Sequence, residues 1–144
     1  MDNHFQKFIT GLQHIGIPTN DLEATIAFYD TLGFQVASRT VNEAANEKVA
    51  FLRMGDVTIE TYENKQAALA NGALDHIALN VTDIEAVFEA AKEKGFCILD
   101  TEIQFLPFWE NGVKFFTIVG PNKEKVEFSQ YLYGGLQWNT KIRM

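Results

Sequence analysis

An internal repeat constrains this chain more than any other feature of its sequence. A shift of 62 positions superimposes one stretch of the chain on another without an insertion. The matching pairs are Leu12 and Leu74, His14 and His76, Asp21 and Asp83, and Gly33 and Gly95. Because self-similarity over this length marks one supersecondary unit used twice, the sequence predicts two copies of one module.

Each copy follows the order strand, helix, strand, strand, strand. Alternation at 12–17 predicts a first strand with His14 on the face opposite Ile15, and we expect Pro18 to end it. Asn20 is the expected N-cap of the helix, with Glu23 reaching back as in a capping box, and Gly33 ends the helix. The predicted organisation is a single domain over 1–144, made of a βαβββ module at 11–62, a linker at 63–72, a βαβββ module at 73–132 and a C-terminal tail at 133–144.

Charge and hydropathy exclude two classes of partner. The net charge is −7 and the pI about 4.9, so there is no basic surface for a nucleic acid. The N-terminal residues do not show a basic region followed by an apolar run, and no stretch has the roughly 18 apolar residues of a membrane-spanning helix. These observations predict a cytoplasmic protein without a membrane partner. Cys97 lies among apolar residues, and we expect it to be buried.

The connection at 102–111 is unusually apolar. It contains Phe105, Phe108 and Trp109, and loops of this kind cover another surface. Two interpretations stay open: the loop packs over a sheet edge, or it forms one wall of a pocket for an organic substrate.

Four residues at equivalent places in the two copies could carry chemistry. His14 and His76 lie on the first strands, while Glu60 and Glu127 lie on the fourth strands among apolar neighbours. If the first and fourth strands are adjacent, each module contributes one imidazole and one carboxylate to the same face. Since a carboxylate among apolar residues needs a positive partner, the four residues together suggest a divalent cation with open positions.

These residues resemble the vicinal oxygen chelate superfamily, also called the glyoxalase, bleomycin-resistance and extradiol-dioxygenase superfamily. The resemblance covers about 12–132, through the stretches 14–17, 27–34 and 76–79 and the Gly120-Pro121-Asn122 turn leading to Glu127. It implies an α+β, glyoxalase-like fold in which tandem βαβββ modules form a curved mixed sheet around a metal site, often in a homodimer.

The order His, Glu, His, Glu is similar to the glyoxalase I (lactoylglutathione lyase) subgroup. That resemblance implies zinc or nickel held by His14, Glu60, His76 and Glu127. Asn64 matches a position that this subgroup uses for glutathione. In contrast, Pro18 occupies the place of a substrate-binding arginine, so the resemblance carries over the metal set and leaves open whether the thiol is glutathione.

The expected reaction is proton transfer through a metal-bound enediolate of a 2-oxo-aldehyde thiol adduct or a similar vicinal dioxygen substrate. Glu127 is the expected mobile base, with Glu60 as the second choice. The residues expected on the substrate side are Tyr62, Asn64, Phe105, Phe108 and Trp109.

Three alternatives accompany this prediction. An epimerase would use the same chemistry, although epimerases of the superfamily tend to carry glutamine in place of Glu60. An extradiol dioxygenase needs only two histidines and one glutamate around iron. A non-catalytic protein that sequesters a hydrophobic drug or metabolite would not need the four ligands.

Overall fold

The computed structural model describes residues 5–133 and divides the chain into two compact units. Unit 1 comprises Met1–Ala68 and unit 2 comprises Leu69–Met144. The boundary falls inside the stretch 63–72 that the sequence predicts as a linker. The predicted tail at 133–144 lies outside the described residues, apart from Tyr133.

Unit 1 has one helix and four strands. They are β1 (Ile15–Thr19), α1 (Leu22–Leu32), β2 (Gln35–Asn42), β3 (Glu47–Met54) and β4 (Val57–Glu63). The sheet order is β1-β4-β3-β2, with β1 parallel to β4 and the remaining pairs antiparallel. The first and fourth strands are therefore neighbours.

The first strand begins and ends later than the sequence predicts. Pro18 does not end β1, because its position pairs with Tyr62 and the strand continues to Thr19. Within the described residues β1 has a single neighbouring strand. An edge strand tolerates proline, since one of its sides needs no amide donors.

The helix cap also differs from the prediction. Asp21, not Asn20, is the N-cap of α1 and accepts from the Ala24 amide, while the Asn20 side chain accepts from the Ala67 amide. Glu23 does not reach back; its carboxylate binds Arg39 on β2. Gly33 ends the helix in the left-handed conformation, as predicted (φ 107°).

Unit 2 repeats the arrangement with one interrupted strand. Its elements are β5 (His76–Asn80), α2 (Ile84–Glu93), β6 (Cys97–Ile98), β7 (Gln104–Leu106), β8 (Val113–Val119) and β9 (Lys125–Tyr131). The order is β5-β9-β8-β6, and β7 also pairs with β8. β5 is parallel to β9, so the first and last strands are again neighbours.

β6 and β7 are two pieces of the strand that is continuous in unit 1. Between them the Asp100 carboxylate accepts from the Thr117 amide at 2.8 Å, which satisfies a donor of β8 where the pairing lapses. The apolar connection at 102–111 therefore contains a short strand that the sequence does not predict. Cys97 is exposed, contrary to expectation, because it lies on β6, a two-residue strand at the edge of the sheet.

Each sheet buries one face under its own helix. In unit 1 the buried residues include Leu22, Tyr29, Leu52 and Ile59; in unit 2 they include Ile84, Ala91, Phe116, Ile118 and Val126. The last strand of each unit also satisfies the first amide of its helix. Leu22 donates to Glu63 Oε1 and Ile84 donates to Gln130 Oε1, both at 2.8 Å.

The α+β class with mixed sheets is confirmed, and the strands form two sheets, one in each unit. Neither of the helices in the described part of the chain has the length and apolar character needed to cross a membrane.

Candidate functional site

Strand alternation brings His14 and Glu60 to the same face of unit 1. Ile59 and Thr61 are buried, so the intervening Glu60 emerges on the opposite face of β4. Gly16 is its register partner on β1, and His14 lies two positions earlier, on the same side. His14 Nε2 lies 3.2 Å from Glu60 Oε1. The two residues that the sequence pairs are thus in contact.

Aromatic rings surround this first pair. Phe51, opposite Glu60 on β3, meets the His14 ring edge-on with centroids 5.9 Å apart. Tyr62 lies over Gly16, where a β-carbon would be in ordinary van der Waals contact with Tyr62 Cε1, at 3.6 Å. Tyr62 therefore lies on the same face of β4 as Glu60, and its role toward a substrate stays a prediction. Phe51 was missed, although its alternation with the buried Ala50 and Leu52 could have indicated its direction.

Unit 2 places His76 and Glu127 in the equivalent arrangement. His76 and Ala78 share a face of β5, and Ala78 is the register partner of Glu127. His76 Nε2 lies 3.5 Å from Glu127 Oε1. The neighbours of this pair are smaller and polar. Thr117 stands opposite Glu127 on β8, and Ser129 lies two residues after Glu127 on β9.

Glu127 has a perturbed carboxyl group. Its side chain is 19% exposed, and this burial raises the pKa of Glu127 above the ordinary value. The nearby Asp100 carboxylate adds to the increase, while His76 opposes it. A carboxyl group with a raised pKa in a polar recess is suited to exchanging a proton.

Both histidines are oriented through their other ring nitrogen. His14 Nδ1 lies 2.9 Å from Gln13 Oε1, and His76 Nδ1 lies 2.9 Å from Asp75 Oδ2. The hydrogen bond with His76, followed by that with Lys125, lowers the pKa of Asp75. The ring nitrogen that faces each glutamate is Nε2.

The donor chemistry of each pair fits half of a divalent metal site. Two ligands at about 2.0–2.1 Å from a tetrahedral ion are about 3.3 Å apart, close to the two measured separations. Imidazole with carboxylate suits borderline cations such as zinc. Among residues 5–133, no group of three or more His, Cys, Asp or Glu side chains is close enough to hold an ion. The complete four-residue set therefore stays a prediction.

Asn64 faces a different part of unit 1. Its side-chain oxygen accepts from the Gln66 amide at 2.9 Å. It lines a cleft of about 570 Å³ together with Lys48, Glu63 and Lys65. This surface is polar, and the role of Asn64 toward a substrate stays a prediction.

The apolar connection of unit 2 places its aromatic residues on two sides. Trp109 meets the Tyr131 ring edge-on at 5.7 Å, and Tyr131 shares the face of β9 that carries Glu127. Phe105 pairs with Lys114, so it points to the opposite face from its neighbours Gln104 and Leu106. Phe108 and Trp109 are 54% and 77% exposed. The roles of Phe105, Phe108 and Trp109 toward a substrate stay predictions.

Comparisons with known proteins agree with this architecture. Residues 13–117 match the family model of the glyoxalase/bleomycin resistance protein/dioxygenase superfamily. The uncharacterized protein YwbC of Bacillus subtilis (strain 168) is 35% identical over 124 residues, covering 83% of this chain and 96% of that protein.

Solved structures share the fold. A glyoxalase family protein from Enterococcus faecalis has a TM-score of 0.72 at 24% identity, covering 85% of this chain and 98% of that one. The trypanothione-dependent glyoxalase I of Leishmania major has a TM-score of 0.69 at 22% identity, covering 85% and 87%. The family model spans most of the chain, and so this protein belongs to the glyoxalase/bleomycin resistance protein/dioxygenase superfamily.

Proposed function

We propose that the protein is a metal-dependent lyase or isomerase of the glyoxalase I type. It would move a proton between adjacent carbons of a 2-oxo-aldehyde thiol adduct or a related vicinal dioxygen substrate. The observation that carries the proposal is the occurrence of His14 with Glu60 and of His76 with Glu127 at equivalent places in the two units, each pair in contact.

In this proposal His14, Glu60, His76 and Glu127 hold a zinc or nickel ion. A divalent cation, when bound, supplies positive charge that stabilises the oxygens of the substrate as they become negative. The contacts of the Nδ1 atoms with Gln13 and Asp75 support this role, because ligating imidazoles ordinarily use their second nitrogen in this way.

Glu127 is the proposed base. It takes the proton from one substrate carbon and returns it to the neighbouring carbon, so that it finishes the cycle ionised. Burial and the nearby Asp100 raise its pKa toward the range in which a carboxylate can remove a proton and return it. Glu60 is the second candidate; it stands opposite Phe51, and its side chain is 29% exposed.

The substrate side is proposed to include Tyr62 beside the first pair and Trp109 beyond the second. The exposed rings of Phe108 and Trp109 favour a substrate with an apolar group. They also favour one different function, the binding of a hydrophobic molecule without turnover. Metal content and catalysis separate the two.

The decisive experiment measures divalent metal in the dialysed protein by mass spectrometry, followed by turnover of methylglyoxal with glutathione and with other thiols. We expect near-stoichiometric zinc or nickel in the wild type. E127Q should lower kcat about 10²–10⁴-fold. E89Q is the matched control, because Glu89 lies on α2 and pairs with Lys92 at the surface.

A metal-free wild type with no turnover of any thiol adduct would refute the enzymatic proposal and leave the binding function. Stoichiometric iron would instead favour an oxygenase. Equal activity of E127Q and E89Q would exclude Glu127 as the base.

Four ligands require both units, which can come from one chain or from two chains of a cytoplasmic homodimer, the form we propose. A mixture of two inactive double variants tests this point. One carries H14A and E60A, and the other carries H76A and E127A. Activity regained on mixing supports a site shared between two chains, whereas no recovery in a proven heterodimer places the site within one chain.

A further inference from the structure

We propose that Asp75 is a positioning residue that holds the proton of neutral His76 on Nδ1, so that Nε2 faces Glu127 as an electron-pair donor. The expected consequence, stronger metal binding, rests on the proposed function. The hydrogen-bond geometry from which the inference is drawn is that of the metal-free protein. It makes the two pairs unequal.

The argument begins with the acceptor. His76 Nδ1 lies 2.9 Å from Asp75 Oδ2, and an ionised carboxylate has no hydrogen to give. The hydrogen between these atoms therefore belongs to the imidazole. In the neutral ring Nε2 is then left with a lone pair.

Asp75 is itself held from a second direction. Its other oxygen, Oδ1, accepts from Asn71 Nδ2 at 3.1 Å and lies 3.4 Å from Lys125 Nζ. Lys125 is on β9, two residues before Glu127, and is the register partner of His76. The strand that carries the glutamate thus also fixes the group that orients the histidine.

Unit 1 offers a weaker arrangement. Gln13 precedes His14 and its Oε1 lies 2.9 Å from Nδ1, but an amide can turn and present its NH2 group instead. Gln13 therefore accommodates either tautomer of His14, whereas Asp75 accommodates only one of His76. The pair in unit 2 is pre-arranged for a cation.

The remaining contact explains why this matters. With the proton on Nδ1, the Nε2 lone pair faces a carboxylate oxygen of Glu127 at 3.5 Å. Two electron-rich atoms at this distance repel each other unless a positive charge lies between them. Asp75 thereby favours a cation at Nε2, and orienting partners of this kind typically contribute 10–100-fold to metal affinity.

The first experiment records long-range ¹H–¹⁵N NMR spectra of the metal-free protein at about pH 8.5, about two units above the reference pKa of a histidine side chain. Wild type should show His76 as the single Nδ1–H tautomer. D75N keeps the shape but offers an amide, so both tautomers should appear at His76, while the signals of His14 should not change. Q13L is the matched control and should change His14 alone.

The second experiment titrates zinc and nickel into the same three proteins. D75N should weaken binding about 10–100-fold while its melting temperature stays near that of wild type. A single Nδ1–H tautomer retained in D75N, or an unchanged affinity beside a wild type that binds metal, overturns the inference. If wild type binds neither ion, the proposed function fails. The tautomer of His76 in D75N then still shows whether Asp75 holds the proton on Nδ1.

Discussion

Replacing Thr61 by valine should stabilise the protein. Thr61 is fully buried on β4, and among the described residues its hydroxyl has no hydrogen-bond partner. Its strand neighbours Ile17 and Ala50 are also buried and apolar. A buried hydroxyl without a partner costs about 1–3 kcal/mol, and valine replaces it with a methyl group of similar size.

We expect the free energy of unfolding to rise by about 1–2 kcal/mol, because the hydroxyl in the unfolded chain is hydrated and its desolvation is avoided. For a chain of this size the melting temperature should increase by about 3–7 °C. Urea denaturation followed by circular dichroism measures the first quantity and calorimetry the second. The urea dependence of the unfolding free energy should stay constant, so that the change reports stability alone.

Thr19 provides the matched control. It is buried to the same extent, but its hydroxyl donates to Asp21 O, accepts from the Asp21 amide and contacts Thr25 Oγ1 at 2.9 Å. T19V should therefore destabilise the protein by about 1–3 kcal/mol. Opposite signs for T61V and T19V are the expected result. A loss of stability in T61V would mean that its hydroxyl is satisfied, and would refute the reasoning.

Two further predictions concern unit 2. Because burial raises the pKa of Glu127, the folded state binds a proton at this carboxyl group more tightly than the unfolded state does. The stability that this difference contributes is present below about pH 4 and is lost as the pH rises through the folded pKa of Glu127. E127Q without metal should consequently unfold at higher urea concentrations than wild type at neutral pH, and the difference should vanish in acid; a constant difference at all pH values would contradict this. G112A should destabilise the protein more than G55A, since both glycines have positive φ (92° and 58°) but only at Gly112 would a β-carbon lie 2.4 Å from the Phe105 ring. Left-handed backbone alone costs about 1–2 kcal/mol, so urea midpoints that fall equally in both variants would show that the Phe105 ring moves aside freely.

The repeat made the main architecture predictable. Helices α1 and α2 begin at Leu22 and Ile84, which are separated by the same 62 residues as the two histidines. Once the first and fourth strands are adjacent, alternation brings His14 to Glu60. The structure bears out these contacts, while a metal at the four residues remains a prediction.

The departures arise where a local pattern competes with tertiary contacts. Asn20 and Asp21 are both good N-caps; in the structure Asp21 caps the helix, and the Asn20 side chain accepts from the distant Ala67 amide. Proline was expected to end β1, but sequence alone does not identify an edge strand. The interruption between β6 and β7 depends on the Asp100 carboxylate replacing a backbone partner, which no periodicity reveals.

The surroundings of the candidate site were the least predictable part. Phe51 reaches the first pair through strand register, which a single sequence does not specify at this precision. Asp100 approaches the second pair from the interruption between β6 and β7. Asp75 and Gln13 adjoin the histidines in sequence, but their hydrogen bonds depend on side-chain direction. The sequence therefore predicted which residues could act, and not what orients them.

His14 immediately precedes the outermost strand β1, and His76 begins the outermost strand β5, whereas each candidate glutamate lies one strand further in. Among the described residues β1 and β5 are hydrogen-bonded along one side only, while β4 and β9 are bonded along both. Brief separation of an outermost strand would carry the imidazole away and leave the carboxylate in place. A ligand held by both residues of a pair would therefore oppose the separation of β1 from β4 and of β5 from β9.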